Sequence, residues 1–212
     1  MKIISCNIGT KTALSWRGKT VYSGIFKKPS SQSLFLEKYD VRGDVVVDRK
    51  YHGGSDKACY IYGANNYPYW KSLYPNLDWH YGFLGENITM DKLDESTIYP
   101  GDIYELGNAI IKITDPREPC YKLGIICGNQ RVLKQFREAG TPGTYVSVIQ
   151  NGEVKLGDEL KLIERTQDEF NLRQVFLFRH NPPSTKEEMI RLSKNPNLPK
   201  FSYKKWPIKI DE

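Results

Sequence analysis

A cysteine, Cys120, ends the proline-containing segment 115–120 (DPREPC). A thiolate attacks electrophiles and binds soft metals, and it is favoured by nearby cations and by a helix N-terminus. Arg117 and Lys122 flank the cysteine, and a helical pattern follows it. The segment therefore predicts a nucleophile or a metal ligand at Cys120. The alternative is a small buried cysteine at the end of a strand.

A second candidate site is the glycine-rich loop 51–57 (YHGGSDK). Successive glycines allow backbone N–H groups to converge on an oxyanion, and Lys57 adds positive potential. The loop therefore predicts a site for a phosphate or another anionic oxygen. The alternative is a tight turn into a helix, with His52 held by hydrogen bonds.

A third candidate is the segment 85–87 (GEN), which lies between glycines and a predicted strand. Glu86 and Asn87 could orient a polar ligand. The alternative is turn chemistry, in which Asn87 bonds to its own backbone.

Several large classes of protein lack support in this sequence. We find no GxGxxG, P-loop, HExxH or GxSxG motif, and the four cysteines have no CxxC spacing. The net charge of +6 is not concentrated in a dense basic run, so a solvated surface explains it and nucleic acid is not an expected partner. The N-terminus lacks the pattern of a signal peptide and no apolar run reaches membrane-spanning length, so we expect a cytoplasmic protein without membrane association.

Short β-runs separated by turn residues occupy the chain up to about residue 165, which is typical of a barrel or sandwich. The predicted strands are 2–7, 21–27, 33–36, 44–47, 87–90, 102–106, 109–114, 145–150 and 159–163. Asn151-Gly152 predicts a hairpin turn. An aromatic-rich helix is expected over 58–73, and a second helical segment is expected after Cys120.

Helical periodicity replaces the β-pattern after Arg165. The sequence 184–187 (STKE) predicts a capping box at the start of one helix, and a third short helix is expected after Pro199. We therefore divide the chain into a β-domain, 1–166, and a small α-helical appendage, 167–212. The predicted fold class is mainly β with inserted helices.

Taken in order, these motifs resemble the MOSC domain, and specifically its YiiM-like branch. The resemblance covers roughly residues 2 to 165, and the helical tail resembles the three-helix extension of this branch. The motifs that carry it are Gly24-Ile25 with Lys27 and Pro29, Gly43-Asp44 with Asp48, His52-Gly53-Gly54 with Asp56-Lys57-Ala58, Gly85-Glu86-Asn87, Gly101-Asp102, Pro116-Arg117 with Pro119-Cys120, and Gly157-Asp158.

The resemblance implies a MOSC-type β-barrel that binds the molybdenum cofactor, with Cys120 as the metal ligand and a catalytic residue. It implies that Arg117 keeps the thiolate ionised and holds anionic oxygens of the cofactor. The residues implied to contact the pterin or its phosphate are His52, Gly53, Gly54 and Lys57. Glu86 and Asn87 are implied to shape the pocket or to bond the pterin amides, and His52 is also a catalytic candidate.

The activity that the resemblance implies is reduction of N-hydroxylated bases and related N-hydroxylated compounds, a detoxification reaction. No flavin, haem or iron–sulfur motif is present in the sequence, so a separate electron-donating reductase, plausibly a flavin enzyme, is an expected partner. One position departs from the family pattern, because Ser147 stands where an arginine is common. Two alternatives stay open: a persulfide carrier based on Cys120, and a basic β-barrel that only binds a partner.

Overall fold

The computed structural model describes residues 1–198, in which twelve strands and five α-helices are found. The strands are β1 (Ile3–Gly9), β2 (Thr12–Trp16), β3 (Lys19–Ser23), β4 (Lys27–Pro29), β5 (Leu34–Leu36), β6 (Cys59–Gly63), β7 (Ile88–Met90), β8 (Ile103–Leu106), β9 (Ala109–Pro116), β10 (Thr144–Gln150), β11 (Gly152–Val154) and β12 (Leu160–Glu164). The helices are α1 (Tyr67–Leu73), α2 (Tyr121–Ile126), α3 (Val132–Ala139), α4 (Leu172–Phe178) and α5 (Lys186–Lys194).

Eight of these strands form one mixed sheet in the order β12-β8-β9-β10-β6-β7-β1-β4. All neighbours are antiparallel except β6 and β7, which are parallel. The start of β1 approaches the start of β12 through a bridge between Lys2 and Glu159, next to a 2.9 Å hydrogen bond from the amide of Ile3 to the carbonyl of Asp158. The mainly β prediction is confirmed. Over residues 1–198, however, this single bridge does not amount to a ladder that closes a barrel.

The main core lies against the inward face of this sheet. Burial alternates along β9, as expected for a strand with one face in the core, and Ile111 and Ile113 are almost completely buried. These side chains pack with Ile61 of β6, Ile88 of β7 and others in one cluster of apolar residues. The alternation explains why this strand was predictable from the sequence.

The aromatic-rich segment 58–73 is not one helix, and that prediction was wrong over its first half. Residues Cys59–Gly63 form the fully buried central strand β6, followed by a 3₁₀ turn and only then by α1. A strand that is covered on both faces has no polar alternation, so it cannot be distinguished from a buried helix by pattern alone. Tyr60 and Tyr62 therefore belong to the sheet.

Three further predictions about local structure were wrong. The predicted strand 21–27 is interrupted, because β3 ends at Ser23 and β4 begins only at Lys27. Residues 44–47 form an irregular loop and not a strand. Asn151-Gly152 does not turn β10 into a hairpin with the next strand, because β11 pairs with β5. Gly152 is required for a different reason, which is its close approach to the backbone of Asn108.

Replacing Gly152 by alanine is expected to lower the free energy of unfolding by about 3 kcal/mol through overpacking. A Cβ atom at this position would lie 2.3 Å from the backbone carbonyl of Asn108. The control is Gly157→Ala, whose Cβ meets no atom within 4 Å and which carries only the cost of its positive φ of 88°. Urea denaturation measures both variants, and an equal loss in the two would contradict the steric explanation.

The appendage contains two helices within the described residues. The capping box expected at 184–187 was wrong by one residue, because the N-cap of α5 is Thr185, which accepts a 3.3 Å hydrogen bond from the amide of Glu188. Phe176 of α4 packs edge-on against Phe136 of α3, with ring centroids 6.3 Å apart. The helix expected after Pro199 lies outside the described residues, and the division at residue 166 stays a prediction.

Within residues 1–198 no helix combines the length and the hydropathy that a membrane span requires.

Candidate functional site

A cleft lies over three neighbouring strands of the sheet. Tyr60 of β6, Tyr145 of β10 and Asp115 of β9 lie side by side in register. The 3₁₀ turn Ser55–Lys57 contacts β9 and β10, and its Lys57 lines the cleft together with the loop 44–48 and with Arg117 and Cys120. Segments that are distant in sequence therefore line one space.

Most of the predicted site residues line this cleft. They are His52, Gly53, Lys57, Asn87, Arg117 and Cys120. Gly54 and Glu86 are not among the lining residues. The structure thus brings the cysteine loop, the HGG loop and the GEN segment together.

Cys120 is a free, half-buried cysteine directly before α2. Its backbone is extended, with φ of −114° and ψ of 164°, and its carbonyl accepts a 2.9 Å hydrogen bond from the amide of Leu123. Pro116 and Pro119 favour an extended backbone at Asp115 and Glu118, the residues that precede them in this loop. The thiol is therefore held at the wall of the cleft.

Arg117 is a buried cation with only 4% of its surface exposed. Its Nη1 donates a 2.5 Å hydrogen bond to the carbonyl of Leu84, and its guanidinium lies 4.8 Å from the ring centroid of Tyr60 and 5.5 Å from that of Phe136. Among residues 1–198, no carboxylate forms an ion pair with it. Because a buried charge without a counter-charge is costly, this arrangement favours an anionic ligand.

Two lysines add to the positive potential of the cleft. Lys122 is 6% exposed and forms no ion pair within the described part of the chain. Lys57 lies 3.5 Å from Asp115 and 5.4 Å from the ring centroid of Tyr145. The surroundings of Cys120 are therefore cationic, as the sequence predicted from Arg117 and Lys122.

His52 is neutral at pH 7. Burial, together with the charges of Arg117, Lys122 and Lys57, lowers its pKa from 6.5 to about 4. A neutral imidazole can accept a hydrogen bond or a proton in the cleft, but it does not supply a resident positive charge.

This pKa predicts a loss of stability in acid. The unfolded chain binds a proton at His52 below pH 6.5 and the folded chain does so only below about pH 4. The free energy of unfolding should therefore fall as the pH decreases through this window, by roughly 2–3 kcal/mol from this group. Urea denaturation between pH 4 and pH 8 gives the free energy of unfolding as a function of pH, and this curve should be flatter for His52→Gln than for the wild type. Identical slopes for the two proteins would contradict the lowered pKa of His52.

Glu86 supports the GEN segment from behind the cleft. Its side chain is completely buried, and its Oε1 accepts hydrogen bonds from the amide of Gly82 at 2.8 Å, from Tyr67 at 2.5 Å and from Thr89 at 3.0 Å. Burial raises its pKa. Through these hydrogen bonds Glu86 fixes the loop, and its contact with a ligand stays a prediction.

Asn87 lines the cleft, but its amide is already engaged. Its Oδ1 accepts from the amide of Tyr60 at 3.3 Å, and its Nδ2 donates to Asp44 at 3.0 Å. Asp44 also forms a buried ion pair with Lys27. The sequence did not predict this pair, although both residues belong to the motifs that carry the family resemblance.

Arg179 of the appendage is a further residue that the sequence analysis missed. It forms an ion pair with Asp115, and its Nη1 donates a 3.2 Å hydrogen bond to the carbonyl of Pro116. The neighbouring His180 lies 3.2 Å from Glu118. The helical appendage therefore holds the loop that carries Cys120.

Ser147 lies opposite Lys112 of β9 in the register of β10. Neither residue lines the cleft. The structure therefore supplies no cation in the cleft from this position.

No group of three or more His, Cys, Asp or Glu side chains within residues 1–198 could hold a metal ion. A metal bound at Cys120 would consequently need most of its ligands from a cofactor.

Comparison with known proteins finds a matching family model, relatives in sequence and a similar fold. A model of the MOSC domain matches residues 48–161. The chain is 32% identical over 163 residues to the protein YflK of Bacillus subtilis, covering 77% of this chain and 73% of that protein. It is 29% identical over 161 residues to a reductase of Gibberella moniliformis, which covers 74% of this chain but only 28% of the reductase.

The fold is similar to the crystal structure of YiiM from Geobacillus stearothermophilus. The TM-score is 0.76 at 26% sequence identity, and the alignment covers 93% of each chain.

Proposed function

Because this chain belongs to the MOSC domain family, we propose that it is a molybdenum-cofactor-dependent reductase of N-hydroxylated compounds, including N-hydroxylated bases. MOSC domains are associated with binding of the molybdenum cofactor. The family and the relative that is named a reductase support an oxidoreductase-like role. The N-hydroxylated substrate and the bound molybdenum are parts of the proposal.

The residues of the cleft fit such a group. The observation that carries the proposal is a free thiol, Cys120, beside two buried cations, Arg117 and Lys122, that lack a carboxylate partner in the described part of the chain. A thiolate is a suitable ligand for a soft metal, and the cations suit the anionic oxygens of a cofactor phosphate.

When bound, the cofactor supplies two-electron oxygen-atom transfer. Cys120 would hold it through Sγ, and Arg117 would bind anionic oxygens with a guanidinium fixed between two aromatic rings. The backbone at His52 and Gly53 would form the rim, with Lys57 nearby. Asn87 would shape the wall, since its amide is used within the protein.

The reaction breaks the N–O bond of the substrate. R–NHOH takes up two electrons and two protons and gives R–NH2 and water. His52 is neutral in the free protein, so it would receive each proton from solvent at a ring nitrogen and pass it on. An anion bound in the cleft offsets the three cations that depress its pKa and so makes protonation of His52 easier.

The electrons come from a separate reductase in this proposal, of the flavin-containing class. The test is to purify the protein from a host that makes the molybdenum cofactor, to measure molybdenum per chain, and to follow conversion of an N-hydroxylated purine base to its amine with an artificial electron donor. About one molybdenum per chain and amine formation are expected. Protein without molybdenum from a competent host would refute the proposal.

A further inference from the structure

The cleft continues into a second cavity on the outer side of Cys120. The two spaces share Asp48, His52, Lys57, Cys120, Lys122 and Tyr145. Cys120 therefore lies in the wall between an inner and an outer space.

The chemistry of the two spaces differs. Arg117 and the Lys27–Asp44 pair line only the inner cleft. The residues that line only the outer cavity are Tyr51, Tyr121, Pro119, Asp115, Glu118 and Arg179. The two tyrosine rings suit a planar ring, whereas the inner space suits an anion.

Tyr121, the residue directly after Cys120, is held in place by a distant hairpin. The ring of Trp16, at the end of β2, lies 5.1 Å from the ring of Tyr121 at an angle of 32°. The guanidinium of Arg17 lies over the ring of Trp16, 5.2 Å from its centroid. Arg17 and Gly18 have φ values of 51° and 75°, which is the two-residue turn that brings the arginine over the indole.

We propose that the outer cavity is the substrate subsite, and that Tyr121, positioned by Trp16, selects planar heteroaromatic N-hydroxylated substrates by stacking. This inference rests on the proposed function. The inner space is left to the cofactor, so a ring on Tyr121 places its N–OH group beside the reacting centre at Cys120. Stacking of a base on an aromatic side chain contributes about 1–3 kcal/mol.

The test compares two substrates, an N-hydroxylated purine base and hydroxylamine. For Tyr121→Ala, the ratio of kcat/KM for the base to kcat/KM for hydroxylamine should fall about tenfold or more, mainly through KM. Trp16→Ala should also lower this ratio. Tyr121→Phe keeps an aromatic ring and should keep the ratio of the wild type. The matched control is Tyr39→Ala, which removes a tyrosine that is 53% exposed and lies outside both cavities.

A second measurement does not depend on turnover. Calorimetry with the unmodified purine base should give weaker binding to Tyr121→Ala than to the wild type and to Tyr39→Ala. If Tyr121→Ala lost activity equally toward the N-hydroxylated base and toward hydroxylamine, and bound the unmodified base as the wild type does, the subsite would be overturned. Tyr121 would then only support the loop. If the wild type binds the base but reduces no N-hydroxylated compound, the subsite stands and the proposed function fails.

Discussion

Cys120→Ser is expected to yield folded protein that contains almost no molybdenum and that reduces N-hydroxylated substrates at least about 100-fold more slowly than the wild type. A serine hydroxyl is rarely deprotonated and is a poor ligand for a soft metal, whereas it fills nearly the same volume as the thiol. Elemental analysis and an assay of amine formation measure the two effects on protein purified from the same host.

The matched control for this change is Cys127→Ala, in the residue that directly follows α2. Cys127 lines neither the cleft nor the outer cavity, and burial raises its pKa to about 12. The control should keep its molybdenum. Equal molybdenum in the wild type and in Cys120→Ser would contradict the ligand role. A cyanide-releasable sulfur on Cys120 of metal-free wild type would instead favour the persulfide carrier.

Arg117→Met is expected to separate ligand binding from folding. The variant should lose about 10- to 100-fold in affinity for the cofactor, since hydrogen bonds to a charged group contribute about 1.5–3 kcal/mol. The free energy of unfolding of the cofactor-free variant should change by less than about 2 kcal/mol, because removal of a buried cation without a counter-charge offsets the lost contacts.

The comparison variant for Arg117 is Arg117→Lys, which keeps the charge but loses the planar group between the rings of Tyr60 and Phe136. It should retain an intermediate amount of molybdenum. Retention of the cofactor and denaturant unfolding of the cofactor-free proteins are the two measurements. A large loss of stability in Arg117→Met with unchanged cofactor content would mean that the arginine is only structural.

The strands with one face in the core were predictable, because the alternation of apolar and polar residues along β9 and β10 follows from the geometry of a half-buried strand. The strand β6 was not predictable, since it is covered on both sides and its pattern resembles a buried helix. The hairpin turn predicted at Asn151-Gly152 is absent. The composition of these two residues is a local signal, whereas the pairing of β11 with β5 depends on contacts more than one hundred residues apart in the chain.

The sequence by itself determined which groups are available for chemistry. It identified the thiol of Cys120 in its proline-containing loop, the adjacent cations, and the glycines 53 and 54, whose φ values of 94° and 90° only glycine adopts readily. These features are local, and their order along the chain carried the resemblance to the MOSC domain.

Only the tertiary structure decided how these groups are arranged. It placed Glu86 behind the cleft, left Arg117 buried without a carboxylate partner within residues 1–198, and brought Arg179 onto the cysteine loop from more than sixty residues away. It also set Trp16 against Tyr121. Burial, charge pairing and stacking between distant segments depend on the register of the sheet and on the packing of loops over it, and local sequence does not encode them.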